Sequence, residues 1–382
     1  MKLINSNVEK IQISGIRQFF NMVADKEDIV SLTIGQPDFN TPQHIKDAAN
    51  IAIDQNHTSY THNAGILPLR EQVSEYLHEK YNLNYNPSSE IIVTVGASQG
   101  IDITFRTLLE PGDEVLLPGP IYPGYEPLIQ LAGGTPVFMD TTTTDFQVTP
   151  SLIEKYRTDK TKCIVLPYPS NPTGVTLKID VLKDLASYLQ DKNMYILSDE
   201  IYSELVYDHD HTSIATFPGM RQKTIVINGL SKSHAMTGWR IGFVCAPDNI
   251  AKHLLKVHQY NVSCATSISQ YAAYAAVTEG KNDAKPMREA YRQRRKYVAD
   301  RLTSMGIDFI MPNGAFYFFP KFNVNGMSSF DFGLDLVEKA KLALVPGDAF
   351  SPIGQGYMRL SYAYNMDTLS KGMDRLEQYL KS

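Results

Sequence analysis

Lys232 and Arg240 stand eight residues apart in the stretch INGLSKSHAMTGWRIGF, directly after an apolar, strand-like run. A cation beside a buried strand is costly unless something pairs with it or uses it. A lysine amine with a lowered pKa attacks carbonyl groups, and Schiff-base formation with an aldehyde is the usual role of a lysine in such a place. Arg240 adds a permanent cation that suits a phosphate or a carboxylate. The stretch therefore predicts covalent chemistry close to an anion site.

Further candidates follow predicted strands earlier in the chain. Gly96-Ala97-Ser98-Gln99-Gly100 enters a helix whose free N–H groups suit a phosphate, although an ordinary turn capped by Ser98 explains it at least as well in isolation. Tyr122 and Tyr125 lie on the proline-stiffened loop GPIYPGY, where an aromatic ring can stack on a planar ligand or simply pack. Asn171 lies in PYPSNPTG, whose prolines restrict the backbone that aims its side chain.

Asp199 and Glu200 come directly after another apolar strand, with Tyr202 close behind in SDEIY. Two adjacent carboxylates at the edge of a core need a cationic partner for at least one of them, and Glu200 is the better candidate for a structural role. In chain order, the whole set meets the needs of pyridoxal 5′-phosphate. Its aldehyde needs a lysine, its ring nitrogen a carboxylate, its ring oxygen hydrogen-bond donors, its ring face an aromatic group and its phosphate an anion site.

The elements that position these residues alternate between short apolar runs and amphipathic helices, which predicts an α/β fold with a mainly parallel sheet covered by helices. Ligands bind such sheets beyond the carboxyl ends of the strands. The predicted helices include Ser98–Leu109, Ile179–Gln190 and Ile250–Tyr260. The predicted strands are Ile91–Val95, Val115–Pro118, Cys163–Leu166, Tyr195–Ser198, Thr224–Asn228 and Gly242–Cys245.

The region after about residue 286 differs, with a basic helix in REAYRQRRKYVADRL, strands in FYFFP and MRLSY, and a closing helix. It predicts a second, smaller α+β domain. We expect a large domain over residues 41–282 and a small domain formed by residues 1–40 together with 283–382.

Composition excludes several classes of protein. The 382 residues carry a formal net charge of −5 and no Lys/Arg-rich block, so nucleic acid is not an expected partner. No signal-peptide core and no run of roughly 18 apolar residues is present, which predicts a cytoplasmic protein that does not span a membrane. The tract DHDH at Asp208–His211 is better explained as a solvated loop than as a metal site, and no metal is expected.

The sequence resembles the fold-type I, pyridoxal-phosphate-dependent aminotransferases of class I nearly from end to end. That resemblance implies a large domain with a mainly parallel seven-stranded sheet beside the smaller α+β domain. In the stretch INGLSKSHAMTGWRIGF and in overall length, it resembles the bacterial subgroup of aromatic-amino-acid and N-acetyl-LL-diaminopimelate aminotransferases. The motifs that carry it are IGQPDF (34–39), YTHNAG (60–65), SNPTG (170–174), SDEIY (198–202), SKSHAMTGWRIG (231–242) and MRLSY (358–362).

The resemblance implies a role for each residue around the coenzyme ring. Lys232 would bond to the coenzyme aldehyde and later move the proton between the substrate α-carbon and the coenzyme. Asp199 would pair with the ring nitrogen, Asn171 and Tyr202 would bond to the ring oxygen, and Tyr122 would stack on the ring. Lys232, Asp199 and Tyr202 are the expected catalytic residues.

The resemblance also implies the anion-binding residues. Arg359 would clamp the substrate α-carboxylate, with Asn171 beside it and Gly35 closing over it. Gly229 stands where many relatives have a serine that binds the phosphate, so a backbone N–H or Ser231 would have to compensate. The implied phosphate ligands are Ala97, Ser98, Ser231, Arg240 and, reaching into the neighbouring subunit of a homodimer, Tyr60.

The expected activity is transfer of an amino group from an L-amino acid to a 2-oxo acid, with glutamate and 2-oxoglutarate as one pair. The amino acid is expected to be aromatic or N-acetyl-LL-diaminopimelate, and Arg17 is a candidate for contact with an acidic side chain or a simple surface residue. Two alternatives stay open at this point. A carbon–sulfur β-lyase shares the coenzyme site, and a non-catalytic coenzyme-binding regulator would need a DNA-binding domain for which no room is expected.

Overall fold

A computed structural model describes residues 4–23 and 26–382. The strands are β1 (Val30–Ser31), β2 (Ile91–Thr94), β3 (Glu114–Gly119), β4 (Thr135–Asp140), β5 (Thr161–Leu166), β6 (Tyr195–Asp199), β7 (Thr224–Gly229), β8 (Gly242–Cys245), β9 (Tyr317–Phe318), β10 (Leu342–Ala343), β11 (Val345–Pro346) and β12 (Met358–Ser361). The α-helices are α1 (Ser6–Lys10), α2 (Gly15–Val23), α3 (Gln43–Asp54), α4 (Leu67–Tyr81), α5 (Gly96–Leu108), α6 (Tyr125–Leu131), α7 (Pro150–Tyr156), α8 (Ile179–Gln190), α9 (Asp248–Val262), α10 (Ser267–Thr278), α11 (Ala284–Ser304), α12 (Ser329–Ala340) and α13 (Met366–Lys381).

The central sheet has seven strands in the order β2-β8-β7-β6-β5-β3-β4. Strand β8 runs antiparallel to β2 and β7, and the other neighbours are parallel. Strands β2, β7 and β8 are buried along their whole length, which explains their continuous apolar sequences. The mainly parallel seven-stranded sheet predicted from the sequence is therefore confirmed.

Each of the six predicted strands is present, with ends within two residues of the prediction. The edge strand β4 was not predicted, because its residues are mostly half-exposed and its sequence TPVFMD lacks a continuous apolar run. Helix α8 has the predicted limits, and α9 is longer than predicted by two residues at each end. Helix α5 begins at Gly96 rather than Ser98, because Gly96 takes a φ of +77° that allows a sharp turn directly after β2.

The C-terminal part has its own small sheets, with β11, β12 and β9 antiparallel and β1 parallel to β10. The strands in FYFFP and MRLSY, the long basic helix and the closing helix are all where the sequence predicts them. The N-terminal segment packs on this part, since Val30 pairs with Leu342 and Phe19 is buried beside Val337. The limits of the two domains stay a prediction.

The carboxyl ends of the parallel strands β5, β6 and β7 lie side by side in the sheet. Asn171 and Lys232 lie in the loops that follow β5 and β7, and Asp199 is the last residue of β6, so three distant parts of the sequence meet at one edge. Among residues 4–23 and 26–382, no helix is both long enough and apolar enough to cross a bilayer.

Candidate active site

A cavity of about 610 Å³ lies at this edge of the sheet. It brings together every residue that the sequence predicts for the site except Tyr60. Its lining includes Gly35, Ala97, Ser98, Tyr122, Asn171, Asp199, Tyr202, Ser231, Lys232, Arg240 and Arg359. The small C-terminal part contributes Arg359 and the large sheet contributes most of the others, so the cavity lies between them.

Lys232 lies three residues beyond the end of β7, and its Nζ donates to the carbonyl oxygen of Gly35 at 2.5 Å. Burial, together with the nearby cations Arg359 and Arg240, lowers the pKa of Lys232 to about 8, against the opposing effect of Asp199. The neutral amine is therefore accessible close to physiological pH, as a lysine that attacks an aldehyde requires.

Asp199 ends β6 and is almost fully buried. Its carboxylate accepts hydrogen bonds from the Tyr125 hydroxyl at 2.6 Å and from the backbone N–H of Ile201 at 3.2 Å, and neither donor is charged. Burial raises the pKa of Asp199 to about 6, although these two hydrogen bonds work in the opposite direction. A buried carboxylate of this kind gains most from a cationic ligand, and a protonated ring nitrogen is one.

Tyr125 also lines the cavity, and for this residue the sequence indicated only stacking or packing. It begins α6 and is fully buried, and burial together with Asp199 raises the pKa of its hydroxyl well above the usual value. The hydroxyl therefore stays protonated and donates to Asp199 across 74 positions of sequence. Only its place three residues after Tyr122, on a loop that follows a predicted strand, hinted at this role.

Arg359 lies on β12 with 2% of its surface exposed, and it forms no ion pair with a carboxylate of residues 4–23 and 26–382. Its Nη1 donates to Asn171 Oδ1 at 2.9 Å and its Nη2 to the Thr33 carbonyl at 2.6 Å, while Nε is buried without a partner in the described part of the chain. Its guanidinium carbon lies 4.5 Å from the centre of the Tyr317 ring. This arrangement suits a carboxylate ligand.

The side chains of Asn171 and Tyr202 are each held by a polar neighbour, Arg359 and Tyr317 respectively. Because Asn171 Oδ1 accepts from Arg359, the Asn171 amide N–H₂ remains as a donor. The hydroxyl of Tyr202 lies 2.9 Å from that of Tyr317, a residue that the sequence analysis missed although it lies in FYFFP. Burial raises the pKa of Tyr202 well above its usual value, so its hydroxyl also stays protonated.

The start of α5 forms the other end of the cavity. A Cβ on Gly96 would lie 2.5 Å from Arg240 Nη2, and a Cβ on Gly242 would lie 2.7 Å from the backbone N of Ala97. Glycine at both positions lets the arginine and strand β8 approach the helix start closely. Ala97 and Ser98 line the cavity beside Arg240, so free N–H groups and a guanidinium border the same space.

Tyr122 lines the same cavity, and Gly229 ends β7 beside Gly242 of β8. Tyr122 is 38% exposed and packs edge-on against Tyr125, with ring centres 5.8 Å apart, so part of its ring remains available to a ligand. A Cβ on Gly229 would lie 3.0 Å from Gly242 Cα, so a serine there would crowd β8. Ser231 lines the cavity and offers a hydroxyl in its place.

Other candidates lie outside the cavity. Tyr60 is 87% exposed. His234 is buried and bonded to Ser233 and to the Gly280 carbonyl, and burial lowers its pKa. Glu200 has the structural role expected of it, since it accepts hydrogen bonds from Ser198 and Ser213 and contacts His211 at 2.9 Å.

The DHDH tract has no shared metal centre in the described ranges. Asp208 forms a bidentate ion pair with Arg295, and His209 is bonded to Thr176. Through these contacts, the DHDH tract is linked to α11 and to the segment that precedes α8.

These observations fit pyridoxal phosphate. The cavity offers a buried carboxylate that accepts hydrogen bonds from two uncharged donors, a lysine with a lowered pKa and a glycine-lined helix start beside an arginine. It also offers a buried guanidinium with an unused N–H for a second anion. The first three groups match a molecule with a cationic ring, an aldehyde and a phosphate, and the guanidinium is left for the second anion.

Comparison with known proteins gives the same result. The family profile described as "Aminotransferase class I and II" matches residues 27–376. The chain is 61% identical over 378 residues to the "Probable N-acetyl-LL-diaminopimelate aminotransferase" of Bacillus subtilis, covering 99% of this chain and 96% of that protein. It is 40% identical over 382 residues to "Aromatic-amino-acid aminotransferase 2" of Thermococcus litoralis, with 99% and 98% covered.

A solved structure of aspartate aminotransferase from Thermus thermophilus with maleate superposes with a TM-score of 0.94 at 33% identity, covering 99% of this chain and 100% of that one. These findings confirm the family, fold class, activity and coenzyme that the sequence predicts. The chain therefore belongs to the class I and II aminotransferase family and is a fold-type I transaminase that uses pyridoxal phosphate.

Proposed function

We propose that the enzyme transfers the amino group of an L-amino acid to a 2-oxo acid at the cavity around Lys232, with glutamate and 2-oxoglutarate as one pair. The observation that carries the proposal is that Lys232, Asp199 and Arg359 line one cavity. The pKa of Lys232 is lowered, Asp199 accepts from the uncharged Tyr125 hydroxyl, and Arg359 Nε is buried without a partner in the described part of the chain. The reaction class follows from the family, whereas the residue roles below are our assignment.

The coenzyme, when bound, supplies an aldehyde and a ring that accepts the electron pair released at the substrate α-carbon. Asp199 holds the ring nitrogen in its protonated form, and Tyr125 keeps Asp199 ionised by donating to it. Asn171 and Tyr202 donate toward the ring oxygen, because Arg359 occupies the acceptor atom of Asn171 and Tyr202 remains protonated. Tyr122 covers the ring face.

Arg359 and Lys232 act on the substrate. Arg359 binds the α-carboxylate through its guanidinium, which Asn171 and the Thr33 carbonyl hold in place. Lys232 holds and moves a proton at the α-carbon, and a pKa near 8 suits a group that must both accept and return a proton close to neutral pH. Gly35 accepts from Lys232 and closes this side of the site.

The phosphate is assigned to Ala97, Ser98, Ser231 and Arg240 at the start of α5, with Tyr60 completing the site of the neighbouring subunit in a homodimer. The exposure of Tyr60, and its place outside the cavity of its own chain, support this part. We retain the cytoplasmic location expected from the sequence as part of the proposal.

N-acetyl-LL-diaminopimelate is our proposed amino donor, because the name of the 61% identical relative from Bacillus subtilis specifies it. Aromatic amino acids are the second choice, on the name of the Thermococcus litoralis relative. The test is a steady-state comparison of both donors with 2-oxoglutarate as acceptor, measured as glutamate formed. Glutamate formation with neither donor would contradict the donor assignment, and release of pyruvate and ammonia from cystathionine without a 2-oxo acid would favour the β-lyase.

A further inference from the structure

The cavity contains one cation more than the proposed coenzyme and α-carboxylate roles use. Arg240 is assigned to the phosphate, Arg359 to the α-carboxylate and Lys232 to the aldehyde, and Arg17 also lines the cavity. The carboxylate among its lining residues is Asp199, which is assigned to the ring nitrogen. Arg17 is therefore a positive charge in the substrate space without an assigned partner.

Arg17 is carried by α2, and α2 is firmly packed. Phe19 and Val23, on the same face of this helix, are buried beside Val337. At the start of the helix, a Cβ on Gly15 would lie 3.0 Å from Ala349 Cβ, so the backbone there is in close contact with the C-terminal part. The helix can therefore present Arg17 to the cavity from a fixed position.

The surroundings of Arg17 leave its charge available to a ligand. Arg17 forms no ion pair with any residue of 4–23 and 26–382, although other arginines in these ranges do. The other cavity-lining residues of the N-terminal part are Ile16 on the same helix and Thr33, Ile34, Gly35 and Gln36, and none of these five is acidic. A guanidinium on a cavity wall that is partly apolar suits a substrate with an aliphatic chain that ends in an anion.

We propose that Arg17 is a specificity-determining residue that pairs with a second carboxylate, at the far end of the substrate side chain. The substrates would then carry a second carboxylate that is remote from the reacting carbon. Glutamate, 2-oxoglutarate and N-acetyl-LL-diaminopimelate all have one. This inference rests on the proposed function, because it takes Arg359 as the group that binds the α-carboxylate.

The test compares glutamate with glutamine, which have the same length and differ in the terminal charge. In Arg17→Ala, kcat/KM for glutamate should fall about tenfold, the loss expected for one partly exposed charge-assisted contact, while kcat/KM for glutamine should change less than about twofold. Arg17→Lys should recover part of the loss. Gln18→Ala is the matched control, because Gln18 is the next residue of α2 and its side chain turns back to the Ile13 carbonyl.

Binding gives a second measurement that does not depend on turnover. Calorimetric titration with glutarate and with butyrate compares a dicarboxylate with a monocarboxylate, and only glutarate should bind less tightly to Arg17→Ala. An equal loss for both ligands, or no loss for glutarate, would overturn the role of Arg17. A wild-type protein that forms no glutamate from any donor would instead overturn the proposed function, so the two failures are distinguishable.

Discussion

Lys232 and Asp199 have pKa values displaced toward each other by burial, to about 8 and about 6. Both displacements disfavour the charged form of a buried group, and a cationic ligand beside Asp199 would shift the pKa of that carboxyl back toward its usual range. The lysine was evident in the sequence because its spacing to Arg240 is specific. The Tyr125 hydroxyl was not, because its contact with Asp199 depends on how α6 packs beside β6.

Replacement of Tyr125 by phenylalanine removes one hydrogen bond to a buried carboxylate. The pKa of Asp199 should then rise further above its usual range, because the Tyr125 hydroxyl lowers it now. More of the proton shared with the coenzyme ring should therefore lie on Asp199, and kcat should fall about tenfold. The measurement is kcat with saturating substrates, together with the pH titration of coenzyme absorbance.

Tyr81→Phe is the control for that prediction. Tyr81 also donates to a buried carboxylate, Glu204 at 2.5 Å, but neither residue lines the cavity. Its loss should lower thermal stability and leave kcat unchanged. Equal effects of the two substitutions on kcat would show that Tyr125 acts only through stability.

The pKa of Lys232 predicts how the coenzyme-free protein captures its coenzyme. The neutral amine is the nucleophile, and its fraction increases with pH until the pKa is passed. The rate of covalent capture should therefore rise with pH and level off above about pH 8, rather than continue to rise toward the ordinary lysine value of 10.5. Stopped-flow absorbance after mixing with pyridoxal phosphate gives this profile, and a rate still rising at pH 9.5 would contradict the lowered pKa.

At the scale of elements, the sequence predicted the strands that are apolar throughout and the helices with regular apolar spacing. It missed β4, which lies at the edge of the sheet and is partly exposed. It also placed the start of α5 two residues late, because a glycine that turns at positive φ looks like part of a loop. Edges and turns depend on neighbouring elements more than on local composition.

The contact between β8 and the start of α5 can be tested with Gly242→Ala. The added Cβ would lie 2.7 Å from the Ala97 N and 2.8 Å from the Gly96 carbonyl carbon, and both are backbone atoms that cannot simply rotate away. The helix start should shift, and the dissociation constant of pyridoxal phosphate should rise about tenfold. Equilibrium dialysis measures it. Gly238→Ala, which has no atom within 4 Å of its Cβ, should bind the coenzyme as the wild type does.

At the scale of the whole molecule, two parts of the chain with different architecture form one cavity. The large sheet supplies Asp199 and Lys232, and β12 supplies Arg359 more than a hundred residues later. Residue spacing within each strand-loop unit could be interpreted directly, because each loop follows its own strand. The roles of Arg359 and Tyr60 came only through the family resemblance, because nothing local in MRLSY or YTHNAG indicates which distant groups they meet.

The central claim is that Lys232 carries out amino-group transfer in this cavity. The most direct measurement is the absorbance of the coenzyme-loaded enzyme during addition of L-glutamate and then 2-oxoglutarate, for wild type and for Lys232→Ala. In the wild type, the coenzyme band should convert to the pyridoxamine form and return, whereas Lys232→Ala should show neither change at a comparable rate. A Lys232→Ala protein that completes both conversions as fast as the wild type would contradict the account.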